Sequence, residues 1–504
     1  MNDRVSTYAK SVPLKTIYFT IVLCFVSTFI LGCFVFTIEA DESWMLMSAM
    51  KAFGIELVET SALDDPVTTS GGVYLAIHGL MALLNVDILH HRFVSVLFSV
   101  ILLCLVFLVA NYYLKDRIAA AAGTAAFAAC PGFLLQSSLA TAEIIATTVL
   151  ILAMLFWIRF GAKSIYLAIF GGLLFGLACA TRTTCLAILP AILIWSFIFH
   201  KGWAARLLYP IMAISVAVVV FTACKSAYYY AFDGTLWDRS LFGLDAATGM
   251  GRSFEGGLLR MNYLLVSDGF FPVLGILGLV AWYVIRLMSS DDPEIMRLCG
   301  FLLIAGIGAW AAWVLKSPIA HVRYLWPAIP LVWLAAILLG LTSLKRVKNP
   351  ITFRAVHATI MCFCLVQGLF NIRMLAVGES LTVLYEFARM APLATPRAYF
   401  AARNDQEAII RAVRNLPTSG NIYAVVVQAT YPITYAAGRT IKPLRTAQRV
   451  SDGDFLIVVP SDHNIWEPSW DLIGWIQENT LLLERHGNYA LYALRQGAST
   501  PRMQ

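Results

Sequence analysis

The chain has 504 residues, of which 59% are hydrophobic and 13% are charged. A soluble globular protein carries roughly 25% charged residues, so the composition excludes a set of soluble domains, and it excludes disordered, collagen-like and disulfide-rich classes as well. The formal net charge of +7 is typical of a membrane protein whose cytoplasmic loops collect Lys and Arg, and we expect no nucleic-acid partner.

The chain contains many apolar runs long enough to cross a bilayer, which takes ~20 residues in a helix. The first run lacks a signal-peptide cleavage site, so we expect it to stay as an anchor. About eleven spans are predicted, at 17–38, 91–112, 117–135, 142–158, 164–180, 184–200, 205–224, 265–286, 297–315, 324–342 and 353–375.

Basic residues set the predicted orientation of these spans. Every second connection carries Lys or Arg, as at Lys115, Arg159 and Lys345. Because cytoplasmic loops are enriched in these residues, the N-terminus is predicted to be cytoplasmic. An odd number of spans then places the C-terminus on the outer side, together with the connections 39–90 and 225–264.

The outer segments have two kinds of pattern. Within 39–90, the stretches 43–54 and 72–84 are amphipathic and predict helices that lie on the membrane surface. The chain divides into a membrane domain, 1–378, and a C-terminal domain, 379–504, because the apolar runs end there.

The C-terminal segment alternates strand and helix patterns. Strand-like runs occur at IYAVVV (422–427), DFLIVVP (454–460) and HGNYALYALR (486–495), and helical patterns occur at 404–415 and 468–479. This alternation predicts a small α/β domain. It contains no glycine-rich phosphate-binding motif, so nothing in it indicates a nucleotide site.

Carboxylates occupy two outer positions next to spans. Asp41 and Glu42 follow the first span, and Glu143 opens a later span on the same side. The topology therefore predicts that Asp41 and Glu143 converge on one cavity, where a carboxylate can accept a proton from a hydroxyl or hold a divalent cation. The alternative is that Glu143 only complements the helix dipole, with Thr141 as the N-cap.

Several basic residues lie on the outer side, against the charge rule. Arg182 and Arg323 occupy short turns between spans, where a cation would suit a lipid phosphate; the alternative is snorkelling to headgroups. The full set is Arg182, Lys225, Arg239, Arg252, Arg260, Lys316, His321 and Arg323.

Three features near the predicted interfaces are interpreted as structural. His90 and His91 point to different helix faces and are interpreted as interfacial rather than metal-binding. Arg92 opens the second span and is interpreted as a membrane anchor. The aromatic residues are interpreted mainly as an interface belt; they are Tyr228, Tyr229, Tyr230, Trp237, Trp313 and Trp326.

The carboxylate pair after span one, the two surface helices and the motif SPIAHVRYLWPAIP (317–330) together resemble membrane glycosyltransferases of the GT-C fold. The nearest families in character are the protein O-mannosyltransferases and the aminoarabinose (lipid A) transferases. The resemblance implies a GT-C fold of about eleven transmembrane helices with a small periplasmic α/β domain. It also implies catalytic roles for Asp41, Glu42 and Glu143.

The same resemblance implies a donor-phosphate site. Within the motif, His321, Arg323 and Tyr324 are the matching positions, with Arg323 expected to face the lipid phosphate. The second surface helix has TTSGGVY (68–74) where relatives often have a basic residue and a proline pair. Arg182 or Lys225 is therefore expected to substitute for that contact.

The resemblance implies transfer of a sugar from a polyprenyl-phosphate donor to a periplasmic lipid, glycan or protein, by a single inverting displacement. No cofactor is required, although a divalent cation stays an open alternative. The expected location is the inner (plasma) membrane, among membrane lipids. Two other classes stay open: a transporter or lipid flippase, and a non-catalytic assembly partner that works through its C-terminal domain.

Overall fold

The computed structural model describes most of the membrane domain and the core of the C-terminal domain. The described residues are 2–38, 40–55, 71–130, 132–233, 279–280, 282–285, 293–316, 326, 328–344, 350–377, 401–424, 427–443, 453–458, 470–487 and 489–495. All structural statements below concern these residues.

The membrane domain is helical throughout. Its helices are α1 (Asn2–Val35), α2 (Ala40–Ala52), α3 (Gly72–Leu83), α4 (Ile88–Leu114), α5 (Arg117–Ala128), α6 (Phe133–Ser138), α7 (Ala142–Phe156), α8 (Ile165–Thr181), α9 (Leu189–Phe199), α10 (Tyr209–Asp233), α11 (Pro293–Lys316), α12 (Ala328–Leu344) and α13 (Pro350–Val377). A single turn of π-helix, Trp157–Gly161, continues α7; a second, Ala204–Leu208, leads into α10; and a 3-10 turn, Thr183–Ile188, precedes α9.

Six of the described helical segments are long and apolar enough to cross a membrane: Leu14–Val35, Ile88–Leu114, Ala142–Gly161, Ala204–Tyr228, Pro293–Ala311 and Arg354–Arg373. Ile165–Thr181, Thr183–Phe199 and Ala328–Ser343 are apolar but shorter. The predicted span 265–286 lies largely outside the described residues. A multi-pass protein is confirmed, whereas the count of eleven spans stays a prediction.

The predicted span 117–135 is wrong as a single helix. Asp116 caps α5 by accepting hydrogen bonds from the backbone N–H groups of Ile118 and Ala119. The helix then ends at Ala128, after 12 residues, or about 18 Å, which is too short to span. A proline in the sequence at 131 cannot donate a helical hydrogen bond, and Gly132 has a φ of +78°.

Small residues allow α8 and α10 to pack closely. A Cβ atom at Gly172 would lie 2.5 Å from the carbonyl oxygen of Ala213, and one at Gly176 would lie 2.9 Å from that of Ala217. Glycines four residues apart let two helix backbones approach each other. This contact fixes α10, which carries Lys225, against the helix that leads to Arg182.

The C-terminal domain contains one mixed five-stranded sheet. Its helices are α14 (Ala401–Arg414), α15 (Val427–Ala437) and α16 (Trp470–Asn479), and its strands are β1 (Ile422–Ala424), β2 (Ile441–Pro443), β3 (Phe455–Val458), β4 (Thr480–His486) and β5 (Tyr489–Leu494). The strand order is β2-β1-β3-β5-β4. β1 pairs in parallel with β2 and β3, and β5 is antiparallel to β3 and β4.

The two faces of this sheet have separate cores. Phe455 and Ile457 of β3 pack with residues of α14, and this core also includes Ile38 from the end of the first helix. Leu456, between them, points to the other face and packs with Ile476 and Leu494. The alternation of β3 side chains thus gives the domain one face toward the membrane domain and one away from it.

Candidate functional site

The first element of the candidate site is the start of α2. Asp41 lies in the first turn of this helix, and Glu42 follows it with a completely buried side chain. Both Glu42 carboxylate oxygens accept hydrogen bonds from Arg92, at 2.8 Å from Nε and 2.7 Å from Nη2. The backbone N–H of Ala140 also donates to Glu42 Oε1, at 2.7 Å. These three hydrogen bonds hold Glu42, and two of them come from the single charged guanidinium group of Arg92.

Arg92 links that carboxylate to the end of α1. Its side chain is fully buried, and it donates to the carbonyl oxygens of Cys33, Phe36 and Thr37, each at 2.8 Å. The last carbonyls of a helix have no partner inside the helix, so the guanidinium group satisfies the end of α1 while it neutralises Glu42. The interpretation of Arg92 as a membrane anchor is wrong, because the side chain turns into the protein.

The second element is an ion pair between α7 and the end of α8. Arg182 Nη2 lies 2.8 Å from Glu143 Oε1, and both side chains are buried. Thr141 does not cap α7, since its hydroxyl donates to Gln136 instead. Lys225, on α10, lies close enough to Arg182 for the two charges to repel each other. The structure thus pairs Glu143 with Arg182 and places Lys225 within electrostatic range of Arg182.

Tyr74 of α3 joins the two elements. Its buried hydroxyl donates to the carbonyl oxygen of Ala140 at 2.8 Å, and the N–H of this same residue binds Glu42. Burial, then the negative charges of Glu42 and Glu143, raise the pKa of the Tyr74 phenol well above its usual value. The phenol therefore stays protonated between two carboxylates.

The N-terminus of α3 is fixed beside Arg182. The N–H of Gly71 donates to the carbonyl oxygen of Ala180 at 3.0 Å, and the N–H of Val73 donates to the Thr181 hydroxyl at 3.1 Å. Gly72 adopts a φ of +54° against the Thr181 backbone. These contacts place α3 between α2 and α8.

A histidine pair adjoins Tyr74, whose ring centroid lies 4.2 Å from that of His78. The Nδ1 atoms of His78 and His91 are 2.9 Å apart, and both rings are buried. Burial, and then the neighbouring His91, lower the pKa of His78 to about 3. The interpretation of His91 as interfacial is wrong, because its ring is buried. His90 is exposed and bonds Asp87. Within the described residues, no group of three metal-ligating side chains is found.

Other predicted site residues lie outside the described part of the chain. His321, Arg323 and Tyr324 are among them, and of Asp41 only the backbone is described. Two of the proposed belt aromatics, Tyr228 and Trp326, are buried. Trp326 stacks on Phe133 with ring centroids 6.0 Å apart. For these two residues the interface-belt interpretation is wrong.

Comparison with known proteins places this geometry in a fold. Residues 71–230 match the family of dolichyl-phosphate-mannose-protein mannosyltransferases. The structure of ArnT from Cupriavidus metallidurans bound to undecaprenyl phosphate is similar over 96% of this chain and 99% of that chain, with a TM-score of 0.59 and 12% identity. The apo structure of that protein is similar over 97% of this chain and 99% of that chain, with a TM-score of 0.54 and 12% identity.

A third solved structure is similar over a smaller part of its length. It is the Archaeoglobus fulgidus oligosaccharyltransferase tethered to an acceptor peptide, with a TM-score of 0.50, 13% identity and coverage of 86% of this chain and 65% of that chain. A comparison with curated protein sequences gives no match. The chain is therefore a multi-pass membrane protein with the GT-C fold, which confirms the predicted fold class and the resemblance.

Proposed function

We propose that this protein is a GT-C glycosyltransferase that moves a sugar from a polyprenyl-phosphate donor to an acceptor on the outer face of the inner membrane. The observation that carries the proposal is the similarity to undecaprenyl-phosphate-bound ArnT along nearly the whole of both chains. The match of residues 71–230 to a family that uses a dolichyl-phosphate sugar supports the same class of donor. The acceptor is a lipid, glycan or protein.

Asp41 is the general base of the proposed reaction. Glu42 is occupied by Arg92 and the Ala140 N–H, so the neighbouring Asp41 is the proposed base of the pair. The acceptor hydroxyl gives its proton to the Asp41 carboxylate as its oxygen forms a bond to the anomeric carbon. The bond from that carbon to the phosphate oxygen breaks, and its electron pair leaves with the lipid phosphate. This single displacement inverts the anomeric centre.

Positive charge stabilises the departing phosphate. Arg182 is paired with Glu143 and lies within electrostatic range of Lys225. The motif residues His321, Arg323 and Tyr324 are proposed to complete the phosphate site. A cation near the leaving group lowers the barrier because negative charge develops there in the transition state. Glu143 is proposed to orient Arg182, because the pair is buried and close.

The test is transfer of labelled sugar from a panel of polyprenyl-phosphate sugars by the purified protein. Asp41→Asn is expected to lower the rate by about 10²–10⁴, the usual contribution of a general base. Glu484→Gln, at an exposed position of β4, is the control and should match the wild type. Equal rates for Asp41→Asn and the wild type would remove Asp41 from the chemistry.

Two further arms test the remaining features of the reaction. Addition of a chelator should leave the rate unchanged if no divalent cation takes part. Product stereochemistry identical to that of the donor would contradict the single displacement. Donor binding without transfer to any acceptor would instead favour a lipid flippase or transporter.

A further inference from the structure

A side chain from the C-terminal domain holds the segment that leads to Asp41. Gln406 of α14 is buried, and its amide makes two hydrogen bonds to the backbone of Ile38. Its Nε2 donates to the Ile38 carbonyl oxygen at 2.9 Å, and its Oε1 accepts from the Ile38 N–H at 2.7 Å. The side-chain amide therefore pairs with that residue as a neighbouring strand would.

Ile38, the residue that Gln406 binds, lies in the short link between α1 and α2. Ile38 follows Thr37, whose carbonyl is bound by Arg92, and α2 begins two residues later at Ala40. In the link between α1 and α2, the N–H of Phe36 still donates to the carbonyl oxygen of Gly32 at 3.0 Å, whereas the N–H of Ile38 donates to Gln406. Arg92 fixes Thr37, on the side of the link that follows α1, and Gln406 fixes Ile38, the next residue.

Apolar packing supports the same contact. Ile38 is buried in one core with Ile409, Ile410 and Val413 of α14. Tyr435 of α15 packs against Met47 and Tyr228, which joins the C-terminal domain to α2 at a second point. The domain thus contacts both the entry to α2 and the body of that helix.

We propose that Gln406 is a positioning residue for Asp41, so that the C-terminal domain sets the geometry of the catalytic segment from outside the membrane domain. This role rests on the proposed function of Asp41. A displacement of about 1 Å at a reacting group can lower a rate on the order of 10²-fold, so the two hydrogen bonds at Ile38 affect turnover although Gln406 touches no substrate.

The experiment compares Gln406→Met with a control on the far face of the same sheet. Methionine keeps the length of the side chain and removes both hydrogen bonds. Leu456→Val loosens the other core of the domain, around Ile476 and Leu494, without touching the link. Both variants are measured in the full-length protein for kcat, for the KM of the lipid donor, and for hydrogen–deuterium exchange of the peptide 36–46.

For Gln406→Met we expect kcat to fall by about 10- to 100-fold, KM to change less than about twofold, and exchange in 36–46 to become faster. Leu456→Val should leave all three values near those of the wild type. Unchanged exchange in Gln406→Met, or equal effects in both variants, would overturn the positioning role. If the wild type transfers no sugar, the proposed function fails, and the exchange result alone still decides whether Gln406 orders the link.

Discussion

Removal of the Arg92 guanidinium group is the sharpest test of how the junction is built. Arg92→Met keeps an apolar stem of similar length but removes the five hydrogen bonds that the guanidinium group donates to Glu42, Cys33, Phe36 and Thr37. Loss of one partner of a buried ion pair costs about 3–5 kcal/mol, because the other charge stays buried and uncompensated. The three carbonyl groups at the end of α1 lose a partner as well.

The expected size of the thermal shift follows from the length of the chain. With an unfolding entropy of about 2.1 cal/mol/K per residue, 504 residues that unfold together shift by about 1 °C per kcal/mol. Arg92→Met should therefore lower the unfolding midpoint in detergent by ~3–5 °C. Arg159→Met is the control, because Arg159 is exposed and binds only Tyr112 among the described residues; a surface change of this kind stays within ~0.5 kcal/mol.

A double variant separates buried charge from lost packing. In Arg92→Met with Glu42→Gln, the amide can still accept the Ala140 N–H and no charge is left buried. We expect this protein to melt above Arg92→Met alone, since the uncompensated carboxylate is gone. A double variant that loses the full sum of the two single effects would refute the reasoning, as would an Arg92→Met protein that melts like the wild type.

Two further predictions concern the same domain. Burial lowers the pKa of His78 to about 3, below its unfolded value of about 6.5. Between these two pH values the unfolded chain binds a proton at His78 that the folded chain does not bind. The free energy of unfolding should therefore be full above pH ~6.5 and fall by up to ~1.4 kcal/mol per pH unit below it. His78→Gln should flatten that slope in melting curves from pH 4.5 to 8, and an unchanged slope would exclude His78 as its source. Gly172→Ala should destabilise by ~1–3 kcal/mol through the contact with Ala213. Gly368→Ala, with open space around the Cβ, should stabilise by up to ~1 kcal/mol; equal melting of the two would contradict the packing of α8 on α10.

Local patterns predicted the C-terminal domain well where period and composition agree. The amphipathic pattern at 404–415 corresponds to α14, Ala401–Arg414, and the strand-like run at 454–460 corresponds to β3, Phe455–Val458. In the run IYAVVV, β1 covers Ile422–Ala424, but the last residue, Val427, begins α15 instead of continuing the strand. A β-branched apolar run does not define where a strand ends and a helix begins, because tertiary packing sets that boundary. The proline at 432 also weakens the helical pattern of α15, in which it lies.

The candidate site shows the limit of local reasoning in another way. Position in the predicted topology singles out both Glu143 and Arg182, and the structure pairs them. The predicted convergence of Asp41 and Glu143 on one cavity stays a prediction, because the Asp41 side chain lies outside the described part of the chain. The pairing of Glu42 with Arg92, 50 positions apart, left no local signal, because partner choice depends on how α2 and α4 pack. The only indication in the sequence was a charge at the start of an apolar helix, where its burial is costly without a partner.

The contacts of Arg92 show what a buried charge contributes next to Asp41 and Glu42. A buried ion pair is weak support for stability, since apolar residues of similar volume often stabilise as well or better. Arg92 differs from a simple pair because it also satisfies three carbonyl groups at the end of α1, and no apolar side chain can do this. Glu42 connects Arg92 to α2 and accepts a hydrogen bond from the N–H of Ala140. Gln406 accepts a further hydrogen bond from the N–H of Ile38. The polar junction therefore fixes the backbone on which Asp41 lies, and a fixed position is what the role proposed for Asp41 requires.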